Sequence, residues 1–161
     1  MPYKLFWILR ALALRCVLKD IRMLYFGKPL YCSGLTRYKF GRGVGIFPGS
    51  RIEVSKDSTL TIGDHTRIGH NLFVDASAPI SIGKNCVLSA NVFIGTQDYA
   101  WKEVGKLGFK ESATLKREVI IGDNVFVGIN CVILPGAVIP DGTVLKANSV
   151  VKRGQYESIQ R

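Results

Sequence analysis

Aliphatic residues recur at every sixth position through most of this chain. The register runs Ile62, Ile68, Val74, then Ile82, Leu88, Ile94, then Ile121, Val127, Ile133, Ile139, Leu145 and Val151. The residue after the aliphatic is often Gly, as at Gly63, Gly69, Gly83, Gly95, Gly122 and Gly128. Two positions before it stands a small or β-branched residue, such as Thr66, Cys86, Val92, Val125, Cys131, Ala137, Thr143 or Ser149. Three positions before it Asn recurs, at Asn71, Asn85, Asn91, Asn124, Asn130 and Asn148. Six residues make one short strand and one sharp turn, and three such units close a triangular coil. The aliphatic points inward and stacks on the next coil, while Asn and Gly tolerate left-handed backbone at the corners. Coils pair strand on strand in parallel, which leaves few open edges. Hexapeptide repeats of this kind form parallel β-helices. A doubly wound α/β fold needs helix-length crossovers, and none fit between these strands.

The repeat accounts for several residue types that invite other readings. The chain holds 17 Gly, more than the usual ~7%. Cys86 and Cys131 fall at the small inward position, so they are read as packing residues. His65 stands at an Asn corner, where His is also enriched. The four Cys include no C-x-x-C pair, which excludes zinc ribbons and thioredoxin-type sites, and only His65 and His70 accompany them. No metal is therefore expected, and unpaired thiols fit a reducing cytoplasm. At 161 residues the chain is one domain. Hydrophobic residues at 47% and charged residues at 21% exclude wholesale disorder. Against 12 acids stand 22 Lys and Arg, a net charge of +10. That balance suits phosphate, anionic lipid or an anionic cofactor. No nucleic-acid motif accompanies it.

Residues 1–28 read as an amphipathic helix. They hold six of the basic residues and one acid, Asp20, which makes +5. At 100° per residue Lys4, Arg15, Lys19 and Arg22 share one face, with Phe6, Trp7, Leu9, Leu14 and Leu18 mostly elsewhere. Arg10 and Arg15 interrupt any apolar run long enough for a span or a secretory signal. Two readings stay open: peripheral contact with an anionic membrane, or packing on this or a neighbouring subunit.

The stretch IGDNVFVGINCVILPGAVIPDGTVLKANSVV, residues 121–151, resembles the last coils of the hexapeptide-repeat acyltransferases. It is similar to the sugar O-acetyltransferases of polysaccharide gene clusters and to the galactoside, maltose and xenobiotic acetyltransferases. The resemblance covers roughly residues 40–152. It implies an all-β, left-handed parallel β-helix over residues 29–153. An N-terminal helix over 1–28, a loop insertion over 95–118 and a tail over 154–161 complete the expected organisation. It also implies acetyl-CoA as acyl donor, a sugar or lipid-linked sugar as acceptor, and a homotrimer with sites between subunits.

The period fails between Ile94 and Val119, and a long excursion from a solenoid is usually functional or disordered. Gly105, Gly108, Trp101, Phe109, Lys102, Lys106, Lys110 and Lys116 give it the composition of a basic flap. In the resembling family a His at the start of this loop is the general base. Here the residues are Thr96, Gln97, Asp98 and Tyr99, and Gln takes no proton. Four readings remain. The base is another residue, with His70, Asp98 and Tyr99 as candidates. The acceptor is an amine, which needs no prior deprotonation. The site works slowly by proximity alone, without the 10²–10⁴-fold of a general base. Or the protein is an inactive structural subunit, or Gln97 is an altered residue that replaced the base.

The resemblance carries over further residues one at a time. Asn71 matches an acceptor-binding Asn, although the repeat itself also explains it, and Asp75 and Trp101 join it as acceptor candidates. Gly128, Ala147 and Ser149 match small residues along the pantetheine groove. Lys152 and Arg153 follow the last coil, where basic residues meet CoA phosphates. The expected function is sugar acetylation, as an O-acetyl transfer in surface-polysaccharide synthesis beside the inner membrane face. The alternatives are N-acetylation of an amino sugar and a non-catalytic β-helix subunit. A γ-class carbonic anhydrase needs three His ligands and is excluded. A fused sugar-nucleotide domain has no room.

Overall fold

A computed structural model describes residues 3–18, 22–99 and 114–155. Helix α1 (Tyr3–Val17) leads into nearly six triangular coils. The first coil holds β1 (Tyr25–Phe26), β2 (Tyr31–Ser33) and β3 (Tyr38–Phe40), and the second β4 (Gly45–Ile46), β5 (Arg51–Val54) and β6 (Leu60–Ile62). The third holds β7 (Arg67–Ile68), β8 (Phe73–Ala76) and β9 (Ile80–Ile82). In the fourth, β10 (Val87–Leu88) and β11 (Phe93–Gly95) are separated from β14 (Val119–Ile121) by the insertion, whose ends are β12 (Gln97–Tyr99) and β13 (Thr114–Lys116). The fifth holds β15 (Phe126–Val127), β16 (Val132–Ile133) and β17 (Val138–Ile139), and β18 (Val144–Leu145) and β19 (Val150–Val151) end the stack.

Three parallel sheets form the three faces. The first face runs β1-β4-β7-β10-β15-β18, the second β2-β5-β8-β11-β16-β19, and the third β3-β6-β9-β14-β17. The architecture is the expected left-handed parallel β-helix with an N-terminal helix and an insertion. Register puts each inward aliphatic on its counterpart. Ile46, Ile68, Leu88, Val127 and Leu145 form one column. Ile52, Val74, Ile94, Ile133 and Val151 form the second. All are buried, and each side chain contributes about 1.5–3 kcal/mol relative to exposure.

The corners behave as the pattern predicts. Asn71, Asn85, Asn91, Asn124, Asn130, Asn148 and His65 all take φ between 56° and 62°. The same step is filled by Gly43, Gly49, Gly136 and Gly142, with φ from 69° to 87°. Asn adds a ladder between coils. The Asn71 amide donates to Asn91 at 3.1 Å, Asn91 to Asn130 at 3.1 Å, and Asn130 to Asn148 at 3.2 Å. Cys86 and Cys131 are buried, as packing residues should be.

Two boundaries differ from the sequence reading. The helix ends at Val17, not near residue 28, and the β-helix begins at Tyr25. The Arg22 amide donates to the Phe40 carbonyl at 2.8 Å and the Leu24 amide to the Val44 carbonyl at 2.6 Å. Those bonds draw the backbone into the first coil, so Arg22 does not extend the helical basic face. Lys19 lies outside the described residues. Among the described residues, no helix is long and apolar enough to cross a membrane.

The ladder and the backbone make separable demands at Asn91. Asn91→Ala is expected to lose about 1–2 kcal/mol, the cost of a left-handed residue with a Cβ, plus its amide bonds. Asn91→Gly loses the bonds alone. Urea unfolding of both variants checks this, with Gly expected to be the more stable of the two.

Candidate functional site

The insertion leaves at the corner between the second and third faces. Gly95 ends β11, and the chain turns outward at Thr96. Thr96 is fully buried and ties this corner together. Its hydroxyl donates to the Asp75 carbonyl at 3.0 Å and accepts from the Ala78 amide at 2.8 Å. Its own amide donates to the Asp75 carbonyl at 3.0 Å, and the Arg117 amide donates to the Thr96 carbonyl at 2.9 Å. The insertion therefore departs and returns at one point. From there β12 and β13 run antiparallel, with Gln97 opposite Lys116, Asp98 opposite Leu115 and Tyr99 opposite Thr114. Asp98 accepts from the Tyr99 amide at 2.8 Å, a local turn bond. Trp101 and the loop residues 100–113 lie outside the described residues.

Below this point, along the outer surface of the second face, lies a cleft of ≈ 430 Å³. Its lining includes Ser33, Arg51, Glu53, Phe73, Asp75 and Ser77. Glu53 and Asp75 are register partners on adjacent coils, so two carboxylates stand side by side. They differ in their company. Arg51 pairs with Glu53 and lies over the rings of Tyr31 and Phe73, 5.9 Å and 5.2 Å from their centres. Asp75 accepts from the Ser77 hydroxyl at 3.0 Å and has no cationic partner among the described residues. Behind the cleft, Tyr38 is committed to structure. Its hydroxyl lies 2.9 Å from the Ser33 carbonyl and 3.2 Å from that of Ile52. Burial, with the neighbouring Cys32 adding to it, pushes the phenol far above its usual range. Burial also raises the Cys32 thiol. Neither group trades protons with the cleft near neutrality.

Above the insertion the same corner turns basic. Gly136 has φ 80°, and a Cβ there would meet the Arg117 stem at 3.0 Å and the Arg153 stem at 3.2 Å. Both arginines thus converge on one glycine, with Lys152 beside them after β19. All three are exposed. The corner between the second and third faces therefore reads, along the coil axis, as acidic cleft, insertion and basic cluster.

The sequence candidates divide between two corners. Asp75, Gln97, Asp98, Tyr99, Lys152 and Arg153 share the corner just described. His70, Asn71, Gly128, Ala147 and Ser149 lie at the corner between the first and second faces. His70 packs on Phe47, with ring centres 5.0 Å apart. Asn71 is the first rung of the asparagine ladder. A Cβ at Gly128 would approach the Ala147 amide to 2.5 Å, so this glycine lets two coils close. Within one chain the second face separates the two groups. Glu53, Ser77, Thr96 and Arg117 escaped the sequence reading. A residue at the foot of a broken repeat, as Thr96 is, was the available signal.

Thr96 offers a direct test of the corner. Thr96→Val keeps the shape but leaves the half-buried Ala78 amide without its acceptor. A loss of about 1–3 kcal/mol is expected in chemical denaturation.

Comparisons with known proteins agree with this architecture. The family model described as "Bacterial transferase hexapeptide (six repeats)" matches residues 118–153. "Hexapeptide repeat of succinyl-transferase" matches residues 59–96. WbbJ of Escherichia coli (strain K12), named for O-acetyl transfer in lipopolysaccharide biosynthesis, is 24% identical over 86% of this chain and 72% of its own length. WcaF of the same organism, named for acetyl transfer in colanic acid biosynthesis, is 29% identical over 70% of this chain and 58% of its own. The Saccharomyces cerevisiae protein YJL218W, named as an acetyltransferase, is 35% identical over 63% of this chain and 50% of its own. The chain thus spans about half the length of the last two. Among solved structures, AntD, an N-acyltransferase from Bacillus cereus in complex with dTDP and 3-hydroxybutyryl-CoA, superposes with a TM-score of 0.67. It is 18% identical over 81% of this chain and 69% of its own, a likeness of fold.

Proposed function

The chain belongs to the hexapeptide-repeat acyltransferases, and we propose that it transfers an acetyl group from acetyl-CoA to a sugar, as an O-acetylation in surface-polysaccharide synthesis. The observation that carries this reading is the polarity of one corner. Acid-lined cleft, insertion and basic cluster follow one another along the axis. Arg117, Lys152 and Arg153 suit the CoA phosphates, since guanidinium groups bind phosphate oxygens in pairs. Glu53 and Asp75 suit sugar hydroxyls, and the thioester lies between the two regions beside Gln97. The acceptor oxygen bonds to the thioester carbonyl carbon, the carbon–sulfur bond breaks, and CoA leaves as the thiolate. Asp75, with no cationic partner among the described residues, takes the hydroxyl proton. The names of WbbJ and WcaF support the substrate class.

A second reading, an amino-sugar acceptor, has its own observation. Gln97, or Tyr99 on the spacing of the galactoside enzymes, stands where the resembling enzymes carry His, and a neutral amine attacks a thioester without that base. Asp98 and Tyr99 remain as further candidates at the loop base.

The division of candidates between two corners supports a homotrimer. A neighbouring copy would bring its His70, Asn71, Gly128, Ala147 and Ser149 to the corner that holds Asp75 and Gln97. Outward apolar residues favour such contacts: Val87, Phe126 and Val144 on the first face, Ile120 and Val138 on the third, all exposed.

Calorimetry with acetyl-CoA tests the donor half. Micromolar affinity with about one site per chain is expected, weakened at least tenfold by Arg117→Glu with Arg153→Glu, since charge-assisted bonds contribute about 1.5–3 kcal/mol each. No binding at millimolar acetyl-CoA sinks the transferase reading in favour of a non-catalytic subunit. Kinetics with hydroxyl and amino sugars test the acceptor half. Asp75→Asn is expected to lower kcat by about 10²–10⁴-fold for a hydroxyl acceptor, the range of a lost general base. Unchanged hydroxyl transfer removes Asp75 as the base.

A further inference from the structure

Helix α1 is apolar on two opposite sides. Its inner side closes the end of the β-helix. Ala11 is buried in the core with Leu14 and Leu18 packed against it. Trp7 packs on Tyr25 and Phe47, with ring centres 6.1 Å and 5.7 Å away. Arg10 donates to the Phe26 carbonyl at 2.9 Å. The outer side is uncovered. Leu5 is 58% exposed, Phe6 66%, Leu9 51% and Leu12 45%. At 100° per residue Ile8, Leu12, Leu5, Cys16, Leu9, Ala13 and Phe6 fill one arc of about 160°. No charged residue of α1 falls inside that arc. Lys4 and Arg15 run along one edge, and Arg10 lies beyond the other. Exposed Leu24 continues the apolar surface, lining a hollow of ≈ 250 Å³ with Lys4, Trp7, Ile8 and Tyr25. The helix thus turns apolar residues, rather than a basic face, toward solvent.

Charge decides what covers this arc. α1 holds no acidic residue. Residues 1–28 carry six Lys and Arg against Asp20 alone. Pairing the arc with the same arc of a second copy would set Lys4, Arg10 and Arg15 of each near those of the other, with no acid of α1 to separate them. An anionic lipid surface reverses that sign. It also accepts both components at once, leucine and phenylalanine in the acyl boundary and basic side chains at the phosphates. Fifteen helical residues reach about 22 Å at 1.5 Å each, short of the ~30 Å hydrocarbon core. The helix lies in the surface and does not cross it.

We propose that α1 is an interfacial anchor: Leu5, Phe6, Leu9 and Leu12 insert into one leaflet of an anionic bilayer, and exposed Lys4 and Arg15 hold its headgroups. Arg22 and Lys28, both exposed, add to the attraction. The anchor stands apart from the transferase reading, because its test needs no substrate.

Flotation of the full chain tests it, with phosphatidylcholine vesicles and with vesicles containing roughly 30% phosphatidylglycerol, the anionic lipid that attracts basic segments. Binding is expected to the anionic vesicles and to weaken with salt. Phe6→Asp with Leu9→Asp should lower partition at least tenfold. Because both residues are exposed, the urea midpoint and the sedimentation mass should not change. Lys4→Gln with Arg15→Gln should lower partition roughly fivefold per charge, the worth of a basic residue near an anionic surface. Failure of the native chain to float with anionic vesicles overturns the proposal. So does equal flotation of the Phe6/Leu9 variant. A drop in oligomeric mass of that variant also overturns it, since the arc is then a contact between copies.

Discussion

Left-handed backbone at two of the three corners of the coils holds this protein together. Each coil turns three times, and left-handed residues tighten the corner between the first and second faces and the corner between the third and first. Asn, His or Gly meets that demand at His65, Asn71, Asn85, Asn91, Asn124, Asn130 and Asn148, and at Gly43, Gly49 and Gly142. Two residues take the turn before the strand resumes, so the next inward aliphatic lands on its counterpart one coil below. A slip of one residue would turn every aliphatic outward. Where Asn occupies the step, its amide bonds to the next coil as well, which joins backbone geometry to axial cohesion.

That constraint dictates where the chain can depart from the repeat. An insertion is tolerated at a corner if it leaves and returns without moving the strands on either side. Thr96 and Arg117 meet that condition through the Arg117 amide and the Thr96 carbonyl. The Thr96 hydroxyl binds the same corner to the coil below. The position of Asp75 beside the insertion therefore follows from the packing of the coils. Its carboxylate lies on the outward side of β8, and its carbonyl anchors Thr96. One residue links the cleft to the loop, so changes at Thr96 reach the cleft through the backbone of Asp75.

The hexads made the fold legible from Ile62 to Val151, because a solenoid writes its period directly into the sequence. The first two coils were harder to read. Phe40, Ile46 and Ile52 keep the six-residue step, but ten residues separate Ile52 from Ile62. The longer corner of residues 55–59 breaks the count. It also hides the register of Glu53 with Asp75, which lie 22 residues apart in sequence. Arg117 and Arg153 converge on Gly136 from different coils, and no linear motif brings them together. The amphipathic pattern of α1 misleads for another reason. Both of its sides are apolar, so periodicity alone does not say whether Leu5 and Leu9 or Ala11 and Leu14 meet the core. Packing chooses the side with Ala11, whose small side chain lets the helix approach the first coil.

The identity of the residue at position 97 bears on the acceptor through proton balance. Attack by a hydroxyl must lose a proton as the new bond forms, and a Gln amide is no acceptor for it. With His70 at the far corner of the same chain, Asp75, bonded to Ser77, and Asp98, bonded to the Tyr99 amide, stand among the groups near the insertion. Asp98 already spends one oxygen on the backbone of its own turn. Asp75 faces a cleft of ≈ 430 Å³ and accepts from a hydroxyl that can itself reorient. A neutral amine places the smaller demand, since it attacks through its lone pair and its proton leaves after attack. On the proposed reading, the same aspartate would serve both acceptors in different ways: it would take the proton of a hydroxyl before or during attack, and receive the proton of an amine afterwards. The dependence of rate on Asp75 should accordingly be steep for one acceptor and shallow for the other.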